Sequence, residues 1–317
     1  MKTKIKLIQF SLLGAILLAA LGGGAQTAAK FVTAPVSPAT NTYLVALRPQ
    51  ADQDRCAKDF SIQRHHSYRH ALNGFSAVMD AATAEKLKHD PRVLAMGPDS
   101  SFTICQAVEP SHIIRMGLTN FPVWQHNPIN VNIAIMDTGI QTNHPDLNVV
   151  NWTSVVGGDG SDWEGHGTMV AGLAGALGAL VDNVNNAIVV GVAPGAKLWS
   201  VQIAIPGGPT GASGSWADFL AGLDYIATNA DQIEVINASI AGLAGDTGTY
   251  DVVDLAESKI CSMGIVFVCA AGNNGSDILG LGGTNRSPDD FLPAALPSAM
   301  TVSAMDAHPS DTGAVAY

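Results

Sequence analysis

The chain has 317 residues, enough for one large core and a small accessory domain, and its formal net charge is −11. An acid excess disfavours nucleic-acid binding, and four cysteines are too few for a disulfide-built fold. The charge is unevenly divided: residues 1–105 carry 12 Lys/Arg and 7 Asp/Glu (net +5), whereas residues 106–317 carry 4 and 20 (net −16), so the two parts should attract each other.

The first residues address the compartment. Lys2, Lys4 and Lys6 precede an apolar run over residues 7–21, and Gly22-Gly-Gly-Ala25 supplies small residues for signal peptidase. The run is shorter than the ~20 residues of a membrane span, so residues 1–25 are expected to be a secretory signal cleaved after Ala25. No later segment is suited to crossing a membrane, and the protein is expected to be secreted or extracytoplasmic. Residues 26–40, rich in Ala, Pro and Thr, form the expected linker.

Residues 41–105 then predict a compact α+β unit. Strands are expected at residues 42–47, 71–79 and 93–96, and helices at residues 51–62 and 81–89. Asp80 caps the second helix and Pro91 stops it. From residue 131 the pattern changes to short apolar strands alternating with helices. Strands are expected at residues 131–136, 149–152, 197–203, 235–238, 265–270 and 300–303, with helices beginning near Gly165, Trp216 and Asp251. Such strands imply a parallel sheet flanked by helices on both faces. Cys261 and Cys269 fall at a helix end and in the middle of the next strand, too far apart to bridge, and Cys269 reads as a buried small hydrophobe.

Three segments carry chemistry. Ile133-Ala-Ile-Met-Asp-Thr-Gly-Ile140 delivers Asp137 to the C-terminal end of a strand, where sites form in open parallel sheets. Alone, that Asp is an ordinary turn residue. Gly165-His-Gly-Thr168 then opens a helix of Gly and Ala, suited to tight burial, with His166 at its exposed mouth and within reach of a strand-end carboxylate. Ile265-Val-Phe-Val-Cys-Ala-Ala-Gly-Asn-Asn-Gly275 ends a buried strand at Asn273, either a turn residue or an amide donor where oxyanion charge develops. Asp before His is the chain order of one known charge-relay system.

With His144-Pro-Asp-Leu147, Val190-Gly-Val-Ala-Pro194, Asn237-Ala-Ser-Ile240 and Ala270-Ala-Gly-Asn273, these segments resemble the subtilisin-like serine proteases. Tyr68-Arg-His-Ala-Leu-Asn-Gly-Phe-Ser-Ala77 and Ala84-Glu-Lys-Leu-Lys-His-Asp-Pro-Arg-Val93 resemble their propeptides. The resemblance implies a subtilisin-like α/β peptidase domain over residues 106–317, preceded by a ferredoxin-like inhibitor propeptide over residues 41–105. Maturation would fall near residues 104–108. It implies that Asp137 orients His166, that His166 is general base and then acid, and that Asn273 donates to the oxyanion. Ser239, Ile240, Ala241 and Gly242 would be the edge segment pairing with an extended peptide. Ala241 replaces a family Gly, so its methyl would narrow the groove. Asp146 matches a family calcium ligand and Asn185 is a second candidate, although Asp after Pro is also a common turn. No cofactor is required for the chemistry. The expected partners are peptide or protein substrates and the chain's own propeptide, with neither nucleic acid nor membrane, and the protein is expected to be a monomer.

The nucleophile is missing. No Ser stands in a Gly-Thr-Ser or Gly-x-Ser-x-Gly context, and the chain stops at Val315-Ala-Tyr317 inside what reads as a strand. The expectation is a C-terminally incomplete peptidase domain, inactive by itself. The alternatives are a catalytically dead, subtilisin-shaped peptide-binding module and a metal hydrolase built on Asp137, His144 and His166. No His-Glu-x-x-His or comparable spacing supports the latter.

Overall fold

The computed structural model describes residues 42–104, 129–181, 188–207, 211–280, 283 and 286–304. The expected signal and linker, the maturation region after residue 104, Asn185 and the last thirteen residues lie outside the described residues. The chain divides into residues 1–37 and a compact unit of residues 38–317; the latter is described below.

The first part of this unit follows the order β1 (Thr42–Leu47), α1 (Gln53–Asp59), β2 (Arg64–Tyr68), β3 (Gly74–Val78), α2 (Ala81–Lys88) and β4 (Val93–Pro98). Asp52 caps α1 and Asp80 caps α2, each accepting backbone N–H groups of the first turn. The four strands form an antiparallel sheet in the order β2-β3-β1-β4, the ferredoxin-like arrangement. Strand alternation divides β1 between two cores. Val45 and Leu47 pack with Cys56, Phe75, Leu87 and Met96, whereas Leu44 and Ala46 enter the large core of the following domain with Tyr68 and Ala71. β2 was not expected from sequence; its Arg-His-His-Ser-Tyr run carries no apolar alternation.

After β5 (Ser101–Ile104) come β6 (Asn132–Asp137), β7 (Val149–Ser154), α3 (His166–Gly175), β8 (Leu177–Val181), β9 (Ile188–Val190) and β10 (Lys197–Gln202). Then follow β11 (Ile205–Pro206), β12 (Ala212–Ser215), α4 (Trp216–Thr228), β13 (Val235–Ala238), β14 (Ile240–Leu243) and α5 (Thr247–Ser262). β15 (Val266–Ala270), β16 (Phe291–Leu292) and β17 (Met300–Val302) complete the order. Six strands form a parallel sheet, β17-β15-β13-β6-β10-β7, as the apolar strand pattern requires. Ile133 and Ile135 of β6 pack on one face with Val170 and Ala171 of α3, whereas Ala134 and Met136 pack on the other with residues of α4 and α5. α5 begins four residues earlier than expected because Asp246 caps it through the Gly248 N–H. Cys261 and Cys269 are not joined by a disulfide, as expected.

The two parts share an interface. The free face of the four-stranded sheet rests on α4 and α5. Asp224 of α4 accepts three successive N–H groups, from Arg69, His70 and Ala71, at 2.9, 2.5 and 2.9 Å. Asp99 accepts the Ala217 N–H at the start of α4, and the Thr249 hydroxyl of α5 donates to Pro98 O at 2.5 Å.

Candidate active site

Asp137 is the last residue of β6 and is fully buried. His166 is the first residue of α3. Its Nδ1 donates to Asp137 Oδ1 at 2.7 Å, and the Thr138 N–H donates to the same oxygen at 2.8 Å. The sequence thus places both residues, and the fold brings them together. One detail differs: the imidazole was expected at an exposed helix mouth, but His166 is only 2% exposed. The reason is how closely α3 starts against the turn after β6. A Cβ at Gly167 would stand 2.0 Å from Gly139 O and 3.1 Å from Asp137 Cβ, so only glycine admits this approach.

Burial raises the Asp137 carboxyl above the usual carboxylate range, and the hydrogen bond from His166 works against that rise. With the carboxylate accepting from Nδ1, the ring is fixed in orientation and tautomer. Nε2 is then the ring nitrogen turned away from the carboxylate.

Asn273 lies three residues past β15, on the C-terminal side of the same sheet, and is exposed. β15 is two places from β6, or roughly 10 Å at the usual strand spacing. The turn carrying Asn273 abuts the predicted edge segment: a Cβ on Gly272 would lie 3.4 Å from the Ala241 methyl. The Ala241 methyl thus stands beside this turn. Ser239 precedes β14 and accepts from Asn237 Nδ2 at 2.9 Å, while Ile240, Ala241 and Gly242 lie within β14.

β14 pairs with an extended chain, and that chain is β5. Ile104 and Thr103 oppose Ile240 and Ala241 on one side. Thr103, Phe102 and Ser101 oppose Ser213, Gly214 and Ser215 of β12 on the other, both ladders antiparallel. Phe102 is 1% exposed, with its ring centroid 5.5 Å from that of Trp216. Room for it exists because both facing residues are glycines: a Cβ at Gly214 would lie 2.4 Å from the ring, and one at Gly242 2.9 Å from Phe102 Cβ.

Residue pattern alone did not mark β5 as a strand, because its pairing partners lie more than a hundred residues away. It also missed Asp162 and Gln202. Asp162 bonds to Thr138, Gly165 and Thr168 around the dyad, and Gln202 Nε2 donates to Thr138 O and Ser161 O. An Asp three residues before the glycine that opens a helix is the signal that could have revealed the first. His144 Nδ1 accepts from the Asp146 N–H at 3.3 Å. Asp146 is 4% exposed, and its carbonyl accepts the Leu177 N–H. Among the described residues no group of three or more His, Cys, Asp or Glu is placed to hold a metal. Asp146 supplies one carboxylate of the oxygen kind that Ca²⁺ takes, and Asn185 lies outside the described residues.

Comparison with known proteins agrees with this geometry. Residues 129–315 match the subtilase family (Peptidase_S8), and residues 42–104 match peptidase inhibitor I9. Subtilisin E of Bacillus subtilis (strain 168) is 33% identical over 254 residues, covering 78% of this chain and 59% of that protein. A thermostable alkaline protease of Halalkalibacterium halodurans is 30% identical over 279 residues, covering 86% of this chain and 68% of that one. The chain thus spans about three fifths of the subtilisins it matches. Among solved structures, the epidermin leader peptide processing serine protease of Staphylococcus aureus has a TM-score of 0.60 at 19% identity, covering 84% of this chain and 69% of that one. Fervidolysin of Fervidobacterium pennivorans, a keratinolytic enzyme related to subtilisin, also gives 0.60 at 19%, covering 85% and 44%. A buried Asp–His pair on a parallel sheet, a strand-lined groove, and matches over both parts lead to one assignment: the chain belongs to the subtilase family of serine peptidases, with an I9 inhibitor domain ahead of its peptidase domain.

Proposed function

We propose that this chain is the autoinhibited precursor form of a secreted subtilisin-class endopeptidase, carrying two members of its charge relay. The observation that carries the reading is the buried 2.7 Å hydrogen bond from His166 Nδ1 to Asp137, beside a groove that holds an extended strand. Asp137 stabilises the imidazolium that forms when His166 Nε2 takes the proton of a serine nucleophile. His166 then returns that proton to the leaving amine. The side-chain amide of Asn273 donates to the oxyanion. Ser239, Ile240, Ala241 and Gly242 hold the substrate backbone in register. β5 occupies that groove as the inhibitory tail, and the pocket around Phe102 favours substrates with a large apolar residue at that position.

The serine is not in a recognisable setting within residues 1–317. Loss of the nucleophile costs roughly six orders of magnitude in turnover, the effect measured for subtilisin. Residues 1–317 alone are therefore expected to be inactive. The test is casein hydrolysis by this chain and by a protein extended through any downstream Gly-Thr-Ser encoded in frame. The extended protein should cleave casein and lose at least ~10³ in turnover on His166→Ala. Full activity in that variant would defeat the reading. The groove filled on both sides by strand pairing also fits a peptide-binding module without catalysis, the reading that survives if a stop codon follows residue 317. Secretion rests on residues 1–25; among the described residues no helix is long and apolar enough to cross a membrane. Calcium at Asp146, with Asn185 as partner, remains a proposal that metal analysis of the purified chain would decide.

A further inference from the structure

We propose that Asp162 is the positioning residue that locks Asp137 and His166 together; this rests on their assignment as the catalytic pair. The helix that carries His166 and the strand that carries Asp137 belong to separate stretches of chain, and no covalent constraint sets their distance. Asp162 joins them. Its Oδ1 accepts the Thr138 hydroxyl at 2.8 Å and the Gly165 N–H at 2.8 Å. Its Oδ2 accepts the Thr168 N–H at 2.8 Å and the Thr168 hydroxyl at 2.6 Å.

Each hydroxyl is fixed in direction by these bonds and passes the constraint on. The Thr138 oxygen, having donated to Asp162, accepts the Gly167 N–H at 2.9 Å, so the residue after Asp137 is tied to the residue after His166. The Thr168 oxygen likewise accepts the Gln141 N–H at 2.9 Å, tying α3 to the chain beyond the strand. The first N–H groups of a helix have no partners within it. Here those of Gly165, Gly167 and Thr168 are taken up by Asp162 and Thr138, while the His166 N–H donates to Glu164 Oε2 at 2.9 Å. Among the described residues no Lys or Arg forms an ion pair with Asp137, Asp162 or Glu164. The charge of Asp162 is balanced by N–H and O–H donors and by the helix N-terminus. A carboxylate used this way fixes geometry through two oxygens at once, which an amide in its place cannot do, because its nitrogen would face the donors of Thr168.

The test is the low-field NMR resonance of the His166 Nδ1 proton in the full 317-residue chain, assigned by its disappearance in Asp137→Ala. The resonance is expected in the unmodified chain and in Asp159→Asn, a neutralised acid of the same loop that accepts only locally. It is expected to be lost in Asp162→Ala and Asp162→Asn. If those variants fail to fold, Thr168→Val should lose it and Thr168→Ser should keep it, since serine preserves both bonds to Asp162. A folded Asp162→Ala chain with lower melting temperature but an unchanged resonance would make Asp162 merely structural and overturn the proposal. Retention in Thr168→Val would do the same. Absence of the resonance from the unmodified chain would instead defeat the Asp137–His166 pairing itself.

Discussion

Glu257 shows what a single buried carboxyl can do to this protein. It lies on the inner face of α5 with no solvent exposure, and neither oxygen has a hydrogen-bond partner among the described residues. Burial pushes its pKa up to about 8, an effect that nearby Ser298 only partly offsets. The sign follows directly. In the unfolded chain the group ionises in the ordinary glutamate range, while the folded chain keeps it protonated until about 8. Stability therefore falls as pH rises through that window, by at most about 1.4 kcal/mol per pH unit, and levels off above it. Glu257→Gln should abolish the slope between about pH 6 and 8 in melts recorded at successive pH values; a wild-type slope there in the variant would refute the assignment. Asp137 and Glu257 differ in how they could be read. Asp137 was legible because an apolar strand, a Gly turn and the later Gly-His-Gly-Thr segment point to one another. Glu257 was not, because only tertiary packing separates a buried glutamate from one on the outer face of the same helix.

At the scale of elements, α4 is the organiser of the interface. Its capping box, Ser215 with Asp218, starts the helix beside the strand that faces Phe102, and further along the same helix Asp224 receives three N–H groups from the turn after β2. Phe102→Ala removes a fully buried ring from between two glycines and should weaken seating of β5 by about 3 kcal/mol. That corresponds to roughly hundredfold faster hydrogen exchange at the amides of Phe102 and Thr103. Asp224→Ala leaves three donors without their shared acceptor and should cost about 2 kcal/mol, read as faster exchange at Arg69, His70 and Ala71. Unchanged exchange in either variant would mean that the contact does not hold the two parts together. The helices of this region were readable from caps and apolar spacing: α4 begins at Trp216, where it was expected. β5 and β2 were not: β5 pairs with strands more than a hundred residues away, and β2 carries no apolar alternation of its own.

For the whole molecule, the division of charge between residues 1–105 and 106–317 led to an expectation of mutual attraction. The two parts do associate, yet the arginines of the first part pair within it, Arg92 with Asp59 and Asp90, and Arg64 with Asp54. Among the described residues, the contact across the boundary between a carboxylate and a basic side chain is that of Asp218 with the His66 ring, at 3.3 Å. Carboxylates on backbone donors and apolar burial carry the contact instead. Asp99 belongs to that set: burial raises its pKa to about 6, Asp218 adds to the rise, and the Ala217 N–H and His66 oppose it. Folded chains hold this proton longer than unfolded ones, so the contribution of Asp99 to stability falls between about pH 4 and 6 and is then constant. Asp99→Asn should reduce the slope only below about pH 6, where Glu257 also contributes, and leave unchanged the slope between about 6 and 8 that Glu257 imposes. A curve in which one substitution removes both slopes would show that the two groups had been assigned wrongly.

The site of β5 between β12 and β14 has a bearing on which proteins such an enzyme could attack. A slot with hydrogen-bonding edges on both sides admits a polypeptide only where about four consecutive residues can be drawn out straight. Under the proposed activity, targets would be sorted by slack: a taut, well-folded surface offers no such length, whereas a frayed terminus or a loosened loop does. Damage or partial unfolding, more than any particular residue, would decide what is cut first.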